Sequence, residues 1–214
     1  NLWQISVILL LIFSRSKFAV IMEPYNDTKH DYFNDKQVIG LLKKLIRPLL
    51  YKFVYYYLLN QAVRIYAISP KCVRQMSNIG IKRQKVSPFG YFIPTIEMPN
   101  NDAKPINKLT IAYVGGGQAR KGLDDLLDVW QKCDAKNRHL KLDIYGVSKR
   151  QTNLNVHFQG MIPLGQVPQY LAEYEAVIIP SRFDGWSLVV NEAISAGTFI
   201  IVRKTVGASI IVKN

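Results

Sequence analysis

The chain has 214 residues, 49% of them hydrophobic and 20% charged, with a net charge of +13; this length and apolar content suit one large or two small folded domains and exclude a disordered chain. The positive surplus is uneven, because residues 1–94 hold 14 Lys and Arg against 4 acids (+10) while residues 95–214 hold 14 against 11 (+3). Cys72 and Cys133 stand far apart with no second thiol or clustered His beside either, which argues against a disulfide framework or a zinc site and for a reducing compartment.

The first residue is Asn1, and residues 5–13 form an apolar run well short of the roughly 20 residues needed to cross a bilayer. No basic segment precedes the run, and Arg15 and Lys17 follow it, unlike a signal peptide. The expectation is a buried helix of a domain that has further residues upstream. FAVIMEP (18–24) is a short apolar run ending at Pro and reads as a buried strand, followed by the polar loop NDTKHDYFNDK.

From Lys36 to Ile96 there is no acid. Residues 38–63 read as helix broken near Pro48, which lacks the amide proton a helix interior requires. Within this span LLKKLIRPLLYKFVYYYLLNQAVR mixes Lys43, Lys44, Arg47 and Lys52 with Tyr51, Phe53, Tyr55, Tyr56 and Tyr57. Such a surface suits an anionic membrane face, where each cation is worth about 1 kcal/mol, so residues 36–96 are the expected contact for a membrane. Nucleic acid would also accept the charge, although none is expected as a partner of the chain. A core helix whose cations solvate its outer face is the competing reading. RIYAIS then reads as a strand, and SPKCVRQMSNIG as a short helix with Ser69 as N-cap, Pro70 at its first position and Gly80 as its stop. KVSPFGYFI returns to extended structure.

Residues 95–108, with Pro99, Pro105 and the adjacent Asn100 and Asn101, mark a linker between domains 1–94 and 109–214. Beyond it strands and helices alternate: LTIAYVG strand, LDDLLDVWQKC helix, LKLDIYG and NVHFQG strands, QVPQYLAEY helix, AVIIPS strand, SLVVNEAISAG helix, TFIIV strand. Alternation of this kind implies parallel strands with crossover connections, hence a doubly wound α/β sheet. Ligands on such sheets lie beyond the carboxyl ends of the strands.

Two loops leave those ends and open helices. In YVGGGQARKG (113–122), Gly115, Gly116 and Gly117 let backbone approach a ligand, and Arg120 and Lys121 bring positive charge to a helix start, a combination that suits a diphosphate. The loop is neither a Walker loop nor a dinucleotide fingerprint, and a glycine-rich turn is often only a tight turn. In PSRFDGWSLVVNE (180–192), a helix opening at about Ser187 leaves the amides of Trp186, Ser187, Leu188 and Val189 free to donate to an anion. Asp184 lies in the loop, where it can accept from sugar hydroxyls, and Glu192 lies inside the helix, where its two oxygens can take both hydroxyls of a ribose. On one regular helix the two acids would stand about 80° apart, so they are not read as a paired acid and base. An N-capping Asp and a solvated helical Glu are the default for either residue alone.

PSRFDGWSLVVNEAISAG, preceded by YVGGGQARKGLDDLL, LDIYG and VHFQGMIPLGQVPQYLAEYEAVIIPS, resembles the donor domain of the family 4 retaining glycosyltransferases, which have the GT-B fold. The resemblance covers nearly all of residues 109–214, and ISPKCVRQMSNIGIKRQKVSPFGYFIP resembles the region just before that domain. It implies an α/β protein of GT-B type: a Rossmann-like donor domain, incomplete at its carboxyl end, joined to part of a second, acceptor-side Rossmann-like domain. It also implies truncation at both ends. The implied activity is transfer of a sugar from a nucleotide-diphosphate donor to a surface polysaccharide or lipid-linked glycan with retention of configuration. The alternative is a truncated, non-catalytic nucleotide-binding or membrane-docking module.

On the same resemblance, Asp184 takes the place of the first Glu of a two-glutamate motif and contacts the donor sugar, and Glu192 takes the second and holds the ribose. Lys121 neutralises the departing diphosphate, and Ile162 falls where the family packs the base. Gly115, Gly116, Gly117, Arg120, Gly185, Trp186, Ser187, Leu188 and Val189 complete the donor-binding set, with Asp184, Lys121 and Glu192 as the catalytic group. Two departures stand out: Asp replaces Glu at 184, and Gly116 replaces an Arg that binds the diphosphate, leaving Arg120 to supply that charge. No Asp-x-Asp pair is present and no metal or other cofactor is expected. None of His30, His139 and His157 matches the family's active-site histidine. The expected location is cytoplasmic, peripheral on the inner face of the membrane.

Overall fold

A computed structural model of the chain describes residues 2–25, 51–93, 109–117, 119–134, 140–148 and 155–212. The chain divides into two compact units, residues 1–90 and 91–214. The linker expected at 95–108, the polar loop after residue 25, and the expected helix as far as its break near Pro48 lie outside the described residues.

In the first unit, α1 (Leu2–Phe13), β1 (Ala19–Met22), α2 (Tyr56–Asn60), β2 (Arg64–Ile68), α3 (Ser69–Asn78) and β3 (Val86–Phe89) follow one another. The strands form a parallel sheet in the order β1-β2-β3, with Val20 opposite Ile65 and Ile65 opposite Val86. Its core gathers Leu59, Ala62, Ile65, Ala67, Cys72, Met76, Ile79, Ile81 and Val86. Each fully buried aliphatic side chain there contributes roughly 1.5–3 kcal/mol. Cys72 belongs to this core, and burial pushes its thiol up to about 12, so it remains protonated and packs as a small apolar group.

Three expectations for this unit need correction. Residues 5–13 do form a helix, but it is not buried: Leu10 is 69% and Phe13 84% exposed, because among the described residues little packs on α1 beyond α2. Ser69 is not the N-cap of α3. Ile68 holds that position with extended backbone, while Ser69 lies at φ 75 with its hydroxyl buried and unpartnered. A capping side chain works from extended backbone, so at that φ the hydroxyl does not close on the helix amides. Finally, the helix expected to run to residue 63 is α-helical, among the described residues, only over Tyr56–Asn60, and the chain enters it through a π-helical turn, Tyr51–Tyr55. Lys52, Phe53, Tyr56 and Tyr57 are exposed around it. No helix among the described residues is long and apolar enough to cross a membrane.

The second unit contains β4 (Leu109–Val114), α4 (Leu123–Asp134), β5 (Leu140–Tyr145), β6 (Val156–Gly160), α5 (Val167–Leu171), β7 (Ala176–Ile179), α6 (Leu188–Ala196) and β8 (Phe199–Val202). All pairings are parallel and the order is β6-β5-β4-β7-β8. Side chains alternate between the faces, as the period of two requires. Ile111, Tyr113, Leu142 and Ile144 meet Leu123, Leu126 and Trp130 of α4 on one face. On the other, Tyr145 stacks edge-on against Tyr170 and Tyr174, and the Tyr174 hydroxyl donates to Asp143 at 2.8 Å. Helices on both faces make the sheet doubly wound, as the alternation predicts. The chain runs outward from β4 to β5 and β6, then crosses back to place β7 and β8 on the other side of β4. The switch in winding direction therefore lies between β4 and β7, which is where such sheets open a ligand crevice.

Candidate functional site

The two loops singled out in the sequence leave β4 and β7, the strands that flank this switch. Gly115 follows β4, and its amide donates to the Tyr145 carbonyl at 3.1 Å, tying the loop to the end of β5. Beneath it the Tyr113 phenol donates to the Gly116 carbonyl at 3.1 Å. Burial, then the charge of Asp124, pushes this phenol up to about 12 against the opposing effect of Arg120, so it stays a neutral donor. A 3-10 turn, Ala119–Lys121, leads into α4.

Gly122 closes that turn at φ +70, and a Cβ there would stand 2.3 Å from the carbonyl oxygen of Pro180, the first residue after β7. Only glycine combines that φ with so close an approach. The loops are then joined by backbone: the amides of Arg182 and Phe183 donate to the Arg120 carbonyl at 2.8 and 3.3 Å.

This contact brings together two of the three side chains expected to do chemistry. Lys121 Nζ donates to Asp184 Oδ2 at 2.6 Å across 63 residues of sequence, with the side chains 19% and 11% exposed. Asp184 is itself held, since its carbonyl accepts from the Gly207 amide at 3.1 Å and the Trp186 carbonyl accepts from Ala208 at 2.9 Å. Gly185 and Trp186 are buried, and the indole Nε1 donates to Asn191 Oδ1 at 2.8 Å.

Helix α6 starts at Leu188 with Ser187 as its cap residue at φ 78, ψ 95, and without a side-chain capping bond. Among the described residues, the amides of Trp186, Ser187, Leu188 and Val189 donate to nothing, whereas Val190 already bonds to the Ser187 carbonyl. Unsatisfied amides at a helix start carry positive potential and suit an anion. Glu192 is the fifth residue of α6, half-buried, with no hydrogen-bond or ionic partner among the described residues. Burial raises its pKa, the mark of a carboxylate short of donors. The two acids thus occupy different elements, Asp184 in the loop and Glu192 in the helix.

Arg120 is half-buried, Gly117 is exposed, and Ile162, half-buried after β6, shares the carboxyl edge of the sheet without entering any of these hydrogen bonds. Among the described residues no group of three or more His, Cys, Asp or Glu is placed to hold a metal ion.

Sequence reasoning missed the cluster that braces the loops. Arg182 donates through Nε to Asp125 Oδ2 at 3.0 Å and through Nη2 to Asp125 Oδ1, a two-pronged pairing, while its Nη1 reaches the Ala119 carbonyl at 3.1 Å. Arg203 adds a contact to the same carboxylate at 3.2 Å. The hydrogen bond from Arg182, more than any other influence, holds the Asp125 carboxyl below its ordinary range. Two-pronged Arg–carboxylate pairs fix geometry as well as charge. The one signal available in the sequence is Asp125 in the first turn of α4, where an acid already suits the helix dipole and so draws no attention.

A family model described as glycosyl transferases group 1 matches residues 95–214, more than half of the chain. Among solved structures, Anabaena HepE in complex with UDP and glucose is similar over 97% of this chain and 58% of its own, at TM-score 0.65 and 15% identity. TarM of S. aureus is similar over 93% and 39%, at 0.65 and 17%. The lipopolysaccharide outer core galactosyltransferase WaaB is similar over 98% and 62%, at 0.60 and 19%. At these identities the likeness is one of fold, and that fold is GT-B. A curated relative, the uncharacterized 41.2 kDa protein in the cps region of Klebsiella pneumoniae, is 26% identical over 111 residues, which are 50% of this chain and 31% of that protein. The chain therefore spans less than two thirds of the length of each of these relatives.

Proposed function

Because the chain belongs to the glycosyl transferases group 1 family, we propose that its second unit binds a nucleotide-diphosphate sugar in the crevice between β4 and β7, and that the protein transfers the sugar to a glycan or lipid-linked acceptor with retention of configuration. The observation that carries this reading is the meeting of Lys121 with Asp184 at the switch point, beside a helix start with four amides that have no acceptor among the described residues.

In this reading Lys121, Arg120 and the amides of Trp186, Ser187, Leu188 and Val189 surround the diphosphate, and Gly115, Gly116 and Gly117 allow it close to the backbone. Asp184 accepts from hydroxyls of the sugar, and Glu192 from the ribose, whose hydroxyls are the donors this half-buried carboxylate lacks. Ile162 lies against the base. The bond between the anomeric carbon and the diphosphate oxygen breaks with its electron pair going to that oxygen, where Lys121 stabilises the developing charge. The acceptor hydroxyl oxygen bonds to the anomeric carbon from the same face, and its proton passes to the departing oxygen. The positive charge comes from the chain itself, so no metal ion is invoked.

HepE was crystallised with UDP, which makes UDP and UDP-glucose the first probes, followed by the adenosine and guanosine counterparts. A rise in melting temperature with one nucleoside diphosphate or its sugar-bearing form, and none with nicotinamide cofactors, is the expected result; no response to any of these nucleotides would sink the reading. A second reading is a nucleotide-binding module without transferase activity. Labelled donor separates the two, since the module binds it and releases no sugar to acceptor or water.

A further inference from the structure

The crevice carries its own charge balance before any ligand arrives. Arg120 and Lys121 contribute two positive charges from one loop, and Asp184 and Glu192 two negative charges from the other loop and its helix. The cation best placed for a diphosphate is also already committed, because Lys121 lies 2.6 Å from Asp184 where both side chains are largely shielded from water. The loops cannot drift apart to release it. Arg120 is pinned through its carbonyl by the amides of Arg182 and Phe183, and Asp184 through its carbonyl by Gly207. Only the two side chains remain to rotate.

From this geometry we propose that Asp184 discriminates the sugar-bearing donor from the bare nucleoside diphosphate left after transfer; the inference rests on the reading of this crevice as the donor site. A nucleoside diphosphate that reaches Lys121 brings its negative charge to within a few ångströms of the Asp184 carboxylate with no hydroxyl between them. A like charge at such a range weakens binding about tenfold in a partly shielded site. A sugar nucleotide avoids this penalty, because its hydroxyls stand between the carboxylate and the phosphates and donate charge-assisted hydrogen bonds to the carboxylate. Once the sugar leaves, Asp184 recaptures Lys121 and the diphosphate loses its main cation. Asp184 thereby assists product release as well as donor recognition.

Calorimetric titration of the full chain with UDP and with UDP-glucose tests this, or with the adenosine or guanosine pair if uridine is not the base. Asp184→Asn removes the charge while keeping size, and it is expected to bind the diphosphate about tenfold tighter than the wild type. The same variant gains nothing, or loses affinity, for the sugar nucleotide. Added salt should shrink the gain for the diphosphate. Asp184→Ala and Asp184→Ser remove the charge with different shapes and are expected to shift diphosphate affinity in the same direction. A purely structural role would weaken both ligands in parallel. Equal or weaker diphosphate binding in the charge-free variants, with the wild type still binding, overturns the inference and leaves the donor-site reading intact. Failure of the wild type to bind any nucleoside diphosphate or its sugar-bearing form overturns that reading, and this inference with it.

Discussion

Replacing Gly122 by Ala should separate the two loops of the crevice, and the size of the effect follows from the geometry. An L-residue at φ +70 costs about 1 kcal/mol relative to glycine. The new Cβ would stand 2.3 Å from the Pro180 oxygen, against the 3.0 Å that real contacts respect, so the strand end must retreat by at least 0.7 Å (3.0 − 2.3). The bonds from Arg182 and Phe183 to the Arg120 carbonyl, now 2.8 and 3.3 Å, then stretch toward or past the limit of a hydrogen bond, at about 1 kcal/mol each. The sum is about 3 kcal/mol. Gly197 supplies an internal control: its φ is +69, and a Cβ there meets nothing within 4 Å, so Gly197→Ala bears only the backbone cost of about 1 kcal/mol. Urea unfolding followed by the fluorescence of Trp130 and Trp186, both buried in this unit, should show midpoints about 1 M apart for the two variants if m is about 2 kcal/mol/M. Nucleotide affinity should fall only in Gly122→Ala. Equal midpoints would refute the argument that close approach of the loops, rather than backbone conformation alone, demands glycine at 122.

Glu192→Ala is expected to weaken nucleoside diphosphate binding at least tenfold, the value of a lost hydrogen bond to a charged group, whereas Glu173→Ala, at an exposed position on the turn after α5, changes it less than twofold; equal losses in titration would remove the ribose role. Burial raises the Glu192 pKa above its ordinary 4.5, so between those two values the folded protein holds more proton than the unfolded one and stability falls as pH rises. Glu192→Gln should therefore melt higher than the wild type at pH 7, with the gap closing as pH drops to the ordinary value and below it. Arg182→Lys loses the two-pronged grip on Asp125 and the bond to Ala119, and should lower the urea midpoint and reduce nucleotide affinity. Because the Asp125 carboxyl is held below its ordinary 3.8, the stabilisation it gives is full above that value and is lost as pH falls through the depressed one. The difference between the wild type and Arg182→Lys should thus narrow in strong acid to what the Ala119 bond contributes, and an unchanged difference there would count against the clamp.

Much of the second unit was legible residue by residue. LTIAYV, LKLDIY and AVII announce strands through runs of apolar and β-branched residues, and LDDLLDVWQKC announces a helix through its 3.6-residue period. GGGQARKG and SRFDGWS read as loops at helix starts because glycine content and helix-start chemistry are local properties. The first unit was less transparent. The same apolar content that marks residues 5–13 as helix says nothing of what covers them, and the helix is largely exposed. Ser69 has the right residue type and the right position for a cap, yet the tight exit from β2 turns its φ positive. A cap is read from composition, but it is made by backbone direction.

The chain's order of residues determines the period of each element, the glycine and proline punctuation between them, and the residue types available at each strand end, since these depend on neighbours a few bonds away. Tertiary structure alone decided which of those ends would face one another. Any order of five parallel strands satisfies the same alternation of patterns, and only the order that sets β7 beside β4 carries Asp184 to Lys121 and Arg182 to Asp125. Those partners stand 63 and 57 residues apart. Strand order is settled by how all the faces pack at once, a balance no short stretch of sequence contains.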